Sequence, residues 1–564
     1  MIYRQEHPKP QFMRRHWQNL NGKWDFRKDD GDSGEEQGFF LPDAVFDQKI
    51  EVPFCPQSRL SGIEDKDFMR AVWYRRHFQL KAAQTAGRVV LHFGAVDYEA
   101  IVYVNGQLCG RHRGGYASFF FDITDFVKEG ENTLTVCAKD NERDPMVPRG
   151  KQCERFASSG CSYTRTTGIW QTVWLEFTPK AYIRHFRLSP SVSTGTLNVE
   201  AVLEGQGDLT LSASFAGKEV GRTVLPAAGG TVNLAVTLQE VHLWELGQGG
   251  LYDLTFTFGS DEVQSYFGLR SIEYRDYKFY LNGRSVFQRL VLDQGFYPDG
   301  VYTAPDDEAL AADIDRSMAM GFNGARLHEK VFEERFLYHC DQKGYLVWGE
   351  YPNWGLDISD PKAVYSVLPE WLQVIERDRN HPSIVGWCPF NETPANQFND
   401  LLALVYQATK AADPSRPCID ASGWLHVKTD IYDVHSYEQS PSAFKEAYAH
   451  LDKGEVKDHW GNRQRYDGKM PFFVSEYGGI GWSQDRQGWG YGNTPESPEA
   501  FLERLKGLTD VLLDNERMFG FCYTQLTDVE QEQNGLYTYD RRPKFSPDDI
   551  APIFSRKAAV ESQL

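Results

Sequence analysis

Glu392 and Glu476 are the residues of this 564-residue chain whose setting most suggests bond-breaking chemistry. Each closes an apolar, strand-like run, one over Ser383–Glu392 and the other over Phe472–Tyr477. Two carboxyl groups can divide labour. One protonates a leaving oxygen and later activates water, while the other attacks carbon. A glycosidic bond is broken with retention when such groups stand about 5–5.5 Å apart. Their pKa values must then diverge, which burial and mutual repulsion can bring about. Other polar residues close neighbouring runs in the same way: His328, Glu350, Asn391, His435, Tyr437 and Gln525. A lone strand-end carboxylate is often only solvated. Six strand ends bearing polar groups point to a site, because carboxylates are rarely buried without a task.

Those ends need a scaffold that gathers them. After about residue 273, apolar runs alternate with helical segments. Strands are expected near Val286–Leu292, Phe322–His328, Tyr345–Tyr351, Ser383–Glu392, Cys418–Ser422, Ile431–Tyr437, Phe472–Tyr477 and Phe519–Gln525. Between them, Phe398, Leu401, Leu402, Val405 and Ala408 trace one helical stripe. Thr303 with Asp306 reads as a helix N-terminal capping pair. Eight strands alternating with helices predict a (β/α)8 TIM barrel over residues 273–564, with its chemistry at the C-terminal strand ends. Upstream, the run Ala100–Val104 followed by Asn105-Gly106 predicts a hairpin. Further strands are expected over Ala117–Ile123, Asn132–Ala138 and Gly168–Phe177, making residues 1–180 a β-sandwich. Residues 181–272 continue with short segments, Leu197–Leu203 and Leu209–Phe215, divided by Gly-rich turns. That spacing suggests a small immunoglobulin-like sandwich.

The segments Gly386-Trp-Cys-Pro-Phe-Asn-Glu392 and Pro471-Phe-Phe-Val-Ser-Glu476-Tyr-Gly resemble the two signatures of glycoside hydrolase family 2. That family includes β-galactosidases and β-glucuronidases. Tyr163-Thr-Arg-Thr-Thr-Gly-Ile-Trp-Gln-Thr-Val-Trp174 is similar to the motif closing the family's sugar-binding jelly roll, and Tyr266-Phe-Gly-Leu-Arg270 to the junction into its barrel. Gly321-Phe-Asn-Gly-Ala-Arg-Leu-His328 and Arg377-Asp-Arg-Asn-His-Pro-Ser383 also resemble barrel segments. The resemblance implies that Glu392 is the acid/base and Glu476 the nucleophile. It implies further that Asn391 bonds the sugar 2-hydroxyl and that Tyr437 bonds and aims the nucleophile. His328 lies about one position from the family's substrate-facing histidine. Asp293, after the first strand, is a candidate for outer hydroxyls, with His435 and Glu350 as further substrate contacts. Trp354, Trp424, Trp482 and Tyr523 are candidate walls of the pocket.

The sugar itself is marked by a departure. Family β-glucuronidases hold the sugar carboxylate with an Asn-x-Lys motif, and the matching positions here are Glu532 and Asn534. An ionised Glu532 would repel a carboxylate, so a neutral β-galactoside is the expected substrate. A β-galacturonide or other uronide, read by arginines such as Arg486, Arg541 or Arg542, is the alternative. A reading from another class is a non-catalytic carbohydrate-binding protein on a hydrolase scaffold, although both carboxylates are in place. The segment Gly349-Glu350-Tyr-Pro-Asn-Trp-Gly355 keeps little of the magnesium site of large family β-galactosidases, so no metal is expected. Without a Gly-rich phosphate loop, no organic cofactor is expected either.

Composition excludes other classes. The formal charge is −19 and no basic stripe occurs, which leaves nucleic-acid binding without an electrostatic footing. The nine cysteines are scattered without a C-x-x-C pair, against a disulfide framework or a structural zinc. With 14% aromatic residues the chain has many faces on which sugar rings could stack. No run of about 18 apolar residues predicts a membrane span. No signal-peptide pattern opens the sequence, so a cytoplasmic location is expected. The expected partner is a β-glycoside, and homo-oligomerisation is left open.

Overall fold

The computed structural model describes residues 2–456, 464–483 and 488–562. The N-terminal part is a jelly-roll sandwich of two antiparallel sheets. One has four strands in the order Trp17–Asn19, Val173–Thr178, Arg88–Phe93 and Phe119–Asp122. The other has six, with Ala71–Leu80 and Gly130–Lys139 at its centre. Alternating residues of both sheets, among them Trp24, Phe26, Tyr74, Leu91, Val102 and Val136, form the buried layer between them. The expected hairpin is present. Asn105 (φ 52°) and Gly106 (φ 79°) form the two-residue turn between Glu99–Val104 and Gln107–Arg113, as a primed turn requires.

The immunoglobulin-like part differs from expectation at one point. Leu197–Leu203 and Leu209–Phe215 are not two strands divided by a turn but one continuous strand, Thr196–Phe215. Gly205, at φ +88°, lies where the pairing register shifts. Before it the strand pairs with Tyr182–Ser191, and after it with Leu251–Phe258. The glycine therefore bends a strand from one neighbour to the next instead of reversing the chain.

The C-terminal part is a parallel barrel. Seven strands lie in the spatial order Ile384–Cys388, Leu346–Glu350, Gly324–Leu327, Gln288–Asp293, Gly520–Thr524, Phe472–Gly478 and Tyr432–Ser436. The eighth position is held by residues 418–422 through isolated parallel bridges, Trp387 with Cys418 and Asn391 with Ser422. The lumen is packed by Leu290, Leu292, Leu346, Trp348, Ile431 and Phe473. Phe279 and Leu281 of the small sheet over residues 272–286 join the same cluster. The first barrel helix, Asp307–Ala319, is capped by Asp306 alone, whose side chain accepts from the Ala309 N–H. Thr303 does not cap it. Its hydroxyl donates to the Trp170 carbonyl at 2.5 Å and so ties barrel to jelly roll. Leu401, Leu402 and Val405 form the buried face of the helix Asn399–Ala412, while Phe398 stands exposed at its N-cap. Among the described residues no helix is long and apolar enough to cross a membrane.

Candidate active site

Strand residues alternate between lumen and helical layer, and this decides which strand-end groups meet. In the strand Phe472–Gly478, Phe473 faces the lumen and Val474 joins the cluster around the helices. The register then shifts between Val474 and Tyr477, and a second shift falls between Val434 and His435 on the neighbouring strand. These irregularities let Ser475 and Glu476, consecutive in sequence, both reach the interior: Ser475 bonds Asp433 and Glu476 meets Arg326. Bulges at barrel rims commonly re-aim a side chain in this way.

Glu392, His435 and Glu476 converge. One ligating atom from each lies within 4.8 Å of the other two. The His435 Nδ1 is 2.7 Å from Glu392 Oε1, and its Nε2 is 3.4 Å from Glu476 Oε1 and 3.1 Å from the Ser422 hydroxyl. Burial alone would lower the His435 pKa, but the carboxylates of Glu476 and Glu392 outweigh it and raise it. The reverse holds for Glu392. Burial pushes its carboxyl up, yet the hydrogen bond and charge of His435, helped by Lys151, hold it at about 2. The pair thus keeps one proton, on the imidazole side. Glu392 also adopts φ 46°, a left-handed conformation that is strained for a glutamate, with its N–H bonded to the Ser422 carbonyl at 3.1 Å.

Arg326 organises the floor. Its guanidinium donates to the Ser475 carbonyl at 2.6 Å, to Glu476 at 3.2 Å and to the Asn391 Oδ1 at 3.2 Å, and pairs with Glu350 at 2.6 Å. By occupying the Asn391 oxygen, Arg326 fixes that amide so that its NH2 is left buried without a protein partner. A donor in this state suits a sugar hydroxyl. Asn353 clamps the Asn391 backbone from both sides, accepting its N–H at 2.6 Å and donating to its carbonyl at 3.1 Å. Tyr437 donates to Glu476 Oε2 at 2.5 Å, and its ring stacks on Tyr491 with centroids 3.5 Å apart. His328 lies 3.0 Å from Glu350 and 3.9 Å from Glu476. Trp424 faces His435 edge-on, with centroids 6.4 Å apart.

A second wall lies close by, since the charge of Glu476 acts on Glu532. Glu532 belongs to a closed ring of side-chain hydrogen bonds. The Tyr163 hydroxyl donates to Glu532 at 2.5 Å, Gln294 bridges Tyr163 and Gln525 at 2.8 and 2.6 Å, Gln525 donates to Asn534 at 2.7 Å, and Asn534 returns to Glu532 at 3.1 Å. Burial pushes the Glu532 carboxyl up, against the opposing pull of Lys151, Tyr163 and Asn534. Trp354 donates from its indole to the Asn391 carbonyl at 3.3 Å, and the Lys151 ammonium sits 3.7 Å over its ring.

Several expectations are corrected, those for Asp293 and Tyr523 by the alternation of strand faces and the rest by the partners the side chains already hold. Asp293 points out of the lumen: it accepts the Gly295 N–H, and burial and Asp313 push its carboxyl up to about 6. It is not placed to touch a sugar at the lumen. Tyr523 likewise faces outward, against Tyr477, Phe322 and Phe554, while its neighbour Thr524 reaches the Tyr437 hydroxyl at 3.1 Å. The ring of Trp482 packs on Phe501 and Phe545. Both oxygens of Glu350 are engaged, by Arg326 on one side and by His328 and the Glu329 N–H on the other, so it positions those groups instead of binding substrate. Arg541 is committed to Asp313 and backbone carbonyls, and Arg542 is exposed beside Asp540. Arg486 lies outside the described residues.

Sequence reasoning missed Arg326, Asn353, Lys151, Tyr491 and Gly423. An arginine in the apolar run Gly324–Leu327 was a visible signal for the first of these, because a buried guanidinium needs acidic partners. Gly423 (φ +70°) touches the His435 ring so closely that an added Cβ would lie 2.1 Å from it. Among the described residues, Glu392, His435 and Glu476 are the grouping that could hold a metal ion. A hydrogen bond already joins His435 to Glu392, and the Tyr437 hydroxyl occupies one oxygen of Glu476.

Comparison with known proteins places the three parts in one family. Residues 17–179 match the sugar binding domain of glycosyl hydrolases family 2, residues 181–270 the domain described simply as glycosyl hydrolases family 2, and residues 272–483 the family's TIM barrel domain. A putative β-glucuronidase of Formosa agariphila is 27% identical over 72% of this chain and 50% of its own length. A β-galactosidase of Thermoanaerobacter pseudethanolicus is 27% identical over 66% of this chain and 51% of its own. The chain thus spans about half the length of these two relatives. A Sus scrofa β-glucuronidase is 26% identical over 93% of this chain and 88% of its own. The solved β-glucuronidase of Ruminococcus gnavus in complex with D-glucuronic acid superposes with a TM-score of 0.81, covering 98% of this chain and all of that one. At 20% identity that likeness is one of fold.

Proposed function

This chain belongs to glycoside hydrolase family 2, and from that premise we propose that it is a retaining exo-β-glycosidase, with Glu476 as nucleophile and Glu392 as acid/base. One observation bears most of this reading: oxygens of the two carboxylates lie within 4.8 Å of each other at the mouth of the barrel. Oxygens this close fit carboxyl groups set about 5–5.5 Å apart, as in retaining enzymes, better than the roughly 6.5–9.5 Å that leaves room for an inverting water. Glu476, aimed by Tyr437 and Arg326, attacks the anomeric carbon and forms a covalent glycosyl ester. The departing oxygen takes the proton held by the Glu392–His435 pair, which passes to Glu392 as a bound sugar excludes water and raises its carboxyl. Glu392 then draws a proton from the water that hydrolyses the ester. The Asn391 amide bonds the 2-hydroxyl, a contact that strengthens as the ring becomes oxocarbenium-like.

For the sugar, we propose a terminal β-linked hexuronide, of glucuronide type, ahead of a neutral galactoside. Support comes from the names of the relatives, with β-glucuronidases outnumbering the β-galactosidase among those described. The repulsion expected from Glu532 also weakens, because that carboxyl is buried, raised in pKa and held in a hydrogen-bonded ring. A panel of 4-nitrophenyl β-glycosides tests both levels: glucuronide, galacturonide, galactoside, glucoside, mannoside and arabinopyranoside. The expected result is turnover with a uronide fastest, lost in Glu476→Ala. Fastest turnover of the galactoside would reject the uronide and keep the reaction class. A panel left wholly intact would reject the glycosidase.

A further inference from the structure

We propose that Lys151, delivered into the barrel mouth by the jelly-roll domain, is the group that binds the sugar carboxylate and makes this site select a uronide. The inference rests on the glycosidase reading and deepens it.

Lys151 is only 6% exposed. Among the described residues, no carboxylate lies within ion-pair distance of its ammonium, and no hydrogen bond to its side chain is formed. Stripping water from an ammonium is costly, and a buried cation is ordinarily matched by an acid. Other buried cations of the site and of the barrel around it are matched or bonded. Arg326 has Glu350 and Glu476, His435 has Glu392, Arg541 has Asp313, Lys544 has Asp528, and Lys330 donates to the carbonyls of Gly295 and Tyr302. Lys151 alone of this group awaits an anion.

Its backbone is held from two sides. The Arg149 and Gly150 N–H groups donate to the Trp354 carbonyl at 2.8 and 3.1 Å, and the Tyr163 N–H donates to the Lys151 carbonyl at 2.7 Å. Trp354 reaches the Asn391 carbonyl, and Tyr163 reaches Glu532. The ammonium, seated 3.7 Å over the Trp354 ring, lies near enough to Glu532, Glu392 and Glu476 for the charges of all three to act on it. A terminal sugar held at Glu392 and Glu476 would lie beside it. A cation–π seat fixes the ammonium without neutralising it. Burial lowers the Lys151 pKa, yet the surrounding Cys161, Glu532, Glu392 and Glu476 raise it overall, so it stays charged. A strongly hydrated point charge of this kind binds an oxyanion well. The role left open by the Glu532 and Asn534 departure thus falls to a residue from another domain.

The test compares aryl β-glucuronide and β-galacturonide with the matching glucoside and galactoside in the full chain, its Lys151→Met and its Lys151→Arg variants. The measured quantity is the ratio of kcat/KM for a uronide to that for its neutral counterpart. Loss of a charge-assisted contact predicts that Lys151→Met lowers this ratio by about 100-fold, mainly through KM, with partial recovery in Lys151→Arg. Calorimetric titration of free D-glucuronate and D-galacturonate into Glu476→Gln should show binding that is lost when Lys151→Met is added. A ratio unchanged within about threefold, whatever happens to overall rate, overturns the assignment and leaves the glycosidase reading intact. Should Lys151→Met not fold, an unchanged ratio in Lys151→Gln or undetectable uronate binding by Glu476→Gln overturns it equally. Wild-type protein that cleaves no glycoside overturns the reading on which the assignment rests.

Discussion

The two walls of the pocket are built differently. The reacting wall, with Glu392, His435, Glu476, Arg326 and Tyr437, comes wholly from one barrel, on its strands or shortly past their C-terminal ends, and is tied together by charge and short hydrogen bonds. The facing wall joins two domains: Lys151 and Tyr163 arrive from the jelly roll, while Gln294 and Gln525 directly follow barrel strands and Glu532 and Asn534 lie in a barrel loop. Rigid strands suit groups that must meet to within fractions of an ångström, and loops suit groups that differ between substrates. On this account the first wall sets the bond broken and the second sets the sugar accepted.

Substitutions can break that division or sharpen it. Glu476→Ala should have the largest effect, lowering kcat by at least about 10⁴-fold on every accepted glycoside while the fold, followed by thermal melting, persists. Tyr437→Phe removes one short bond to Glu476 and should cost about 10- to 100-fold in kcat, equally for all sugars. A loss that varies with the sugar would move Tyr437 to the other wall.

The pH profile probes the first wall in another way. His435 has a raised pKa, so its proton is present below that value and lost as pH climbs through it. The alkaline limb of kcat/KM should therefore lie above the ordinary imidazole range. His435→Gln removes the cation that holds Glu392 at about 2, so Glu392 should rise toward or past the usual carboxylate range. The only proton for the leaving oxygen would then sit on that carboxyl, and the alkaline limb should move to lower pH by about one to two units. An unmoved limb would separate His435 from the acid. The smallest effect is expected on the second wall. Tyr163→Phe opens the Glu532 ring and should raise KM by less than about 10-fold, with kcat nearly constant. A uniform fall in kcat instead would mean that the ring serves the chemistry.

The difference between the walls also explains what the sequence revealed. Glu392 and Glu476 were legible because each closes a strong apolar run inside a recognisable segment, and so were Asn391 and Tyr437. The barrel followed from the alternation of runs, although its eighth strand is only a bridged segment over residues 418–422. Asp293 and Tyr523 were misread because position at a strand end does not tell which face a side chain takes. That depends on strand phase, and near Glu476 and His435 the phase is reset by register shifts that no composition signals. Lys151 was missed for a different reason. It lies more than 200 residues before either glutamate, in a domain with its own core, and only tertiary docking through Trp354 and Tyr163 brings it to the pocket. Gly205 marks the same limit in miniature, since a glycine reads alike whether the chain reverses or bends.

In the proposed mechanism Glu476 forms a covalent bond to the sugar while Glu392 serves as its acid/base. A 2-deoxy-2-fluoro-β-glycosyl fluoride of the preferred sugar, followed by peptide mass spectrometry, tests this directly. Stoichiometric inactivation is expected, with the added mass on the peptide containing Glu476 and none on that containing Glu392. A label on Glu392 or Glu350, or turnover of the fluoride with inversion and no label, would contradict it.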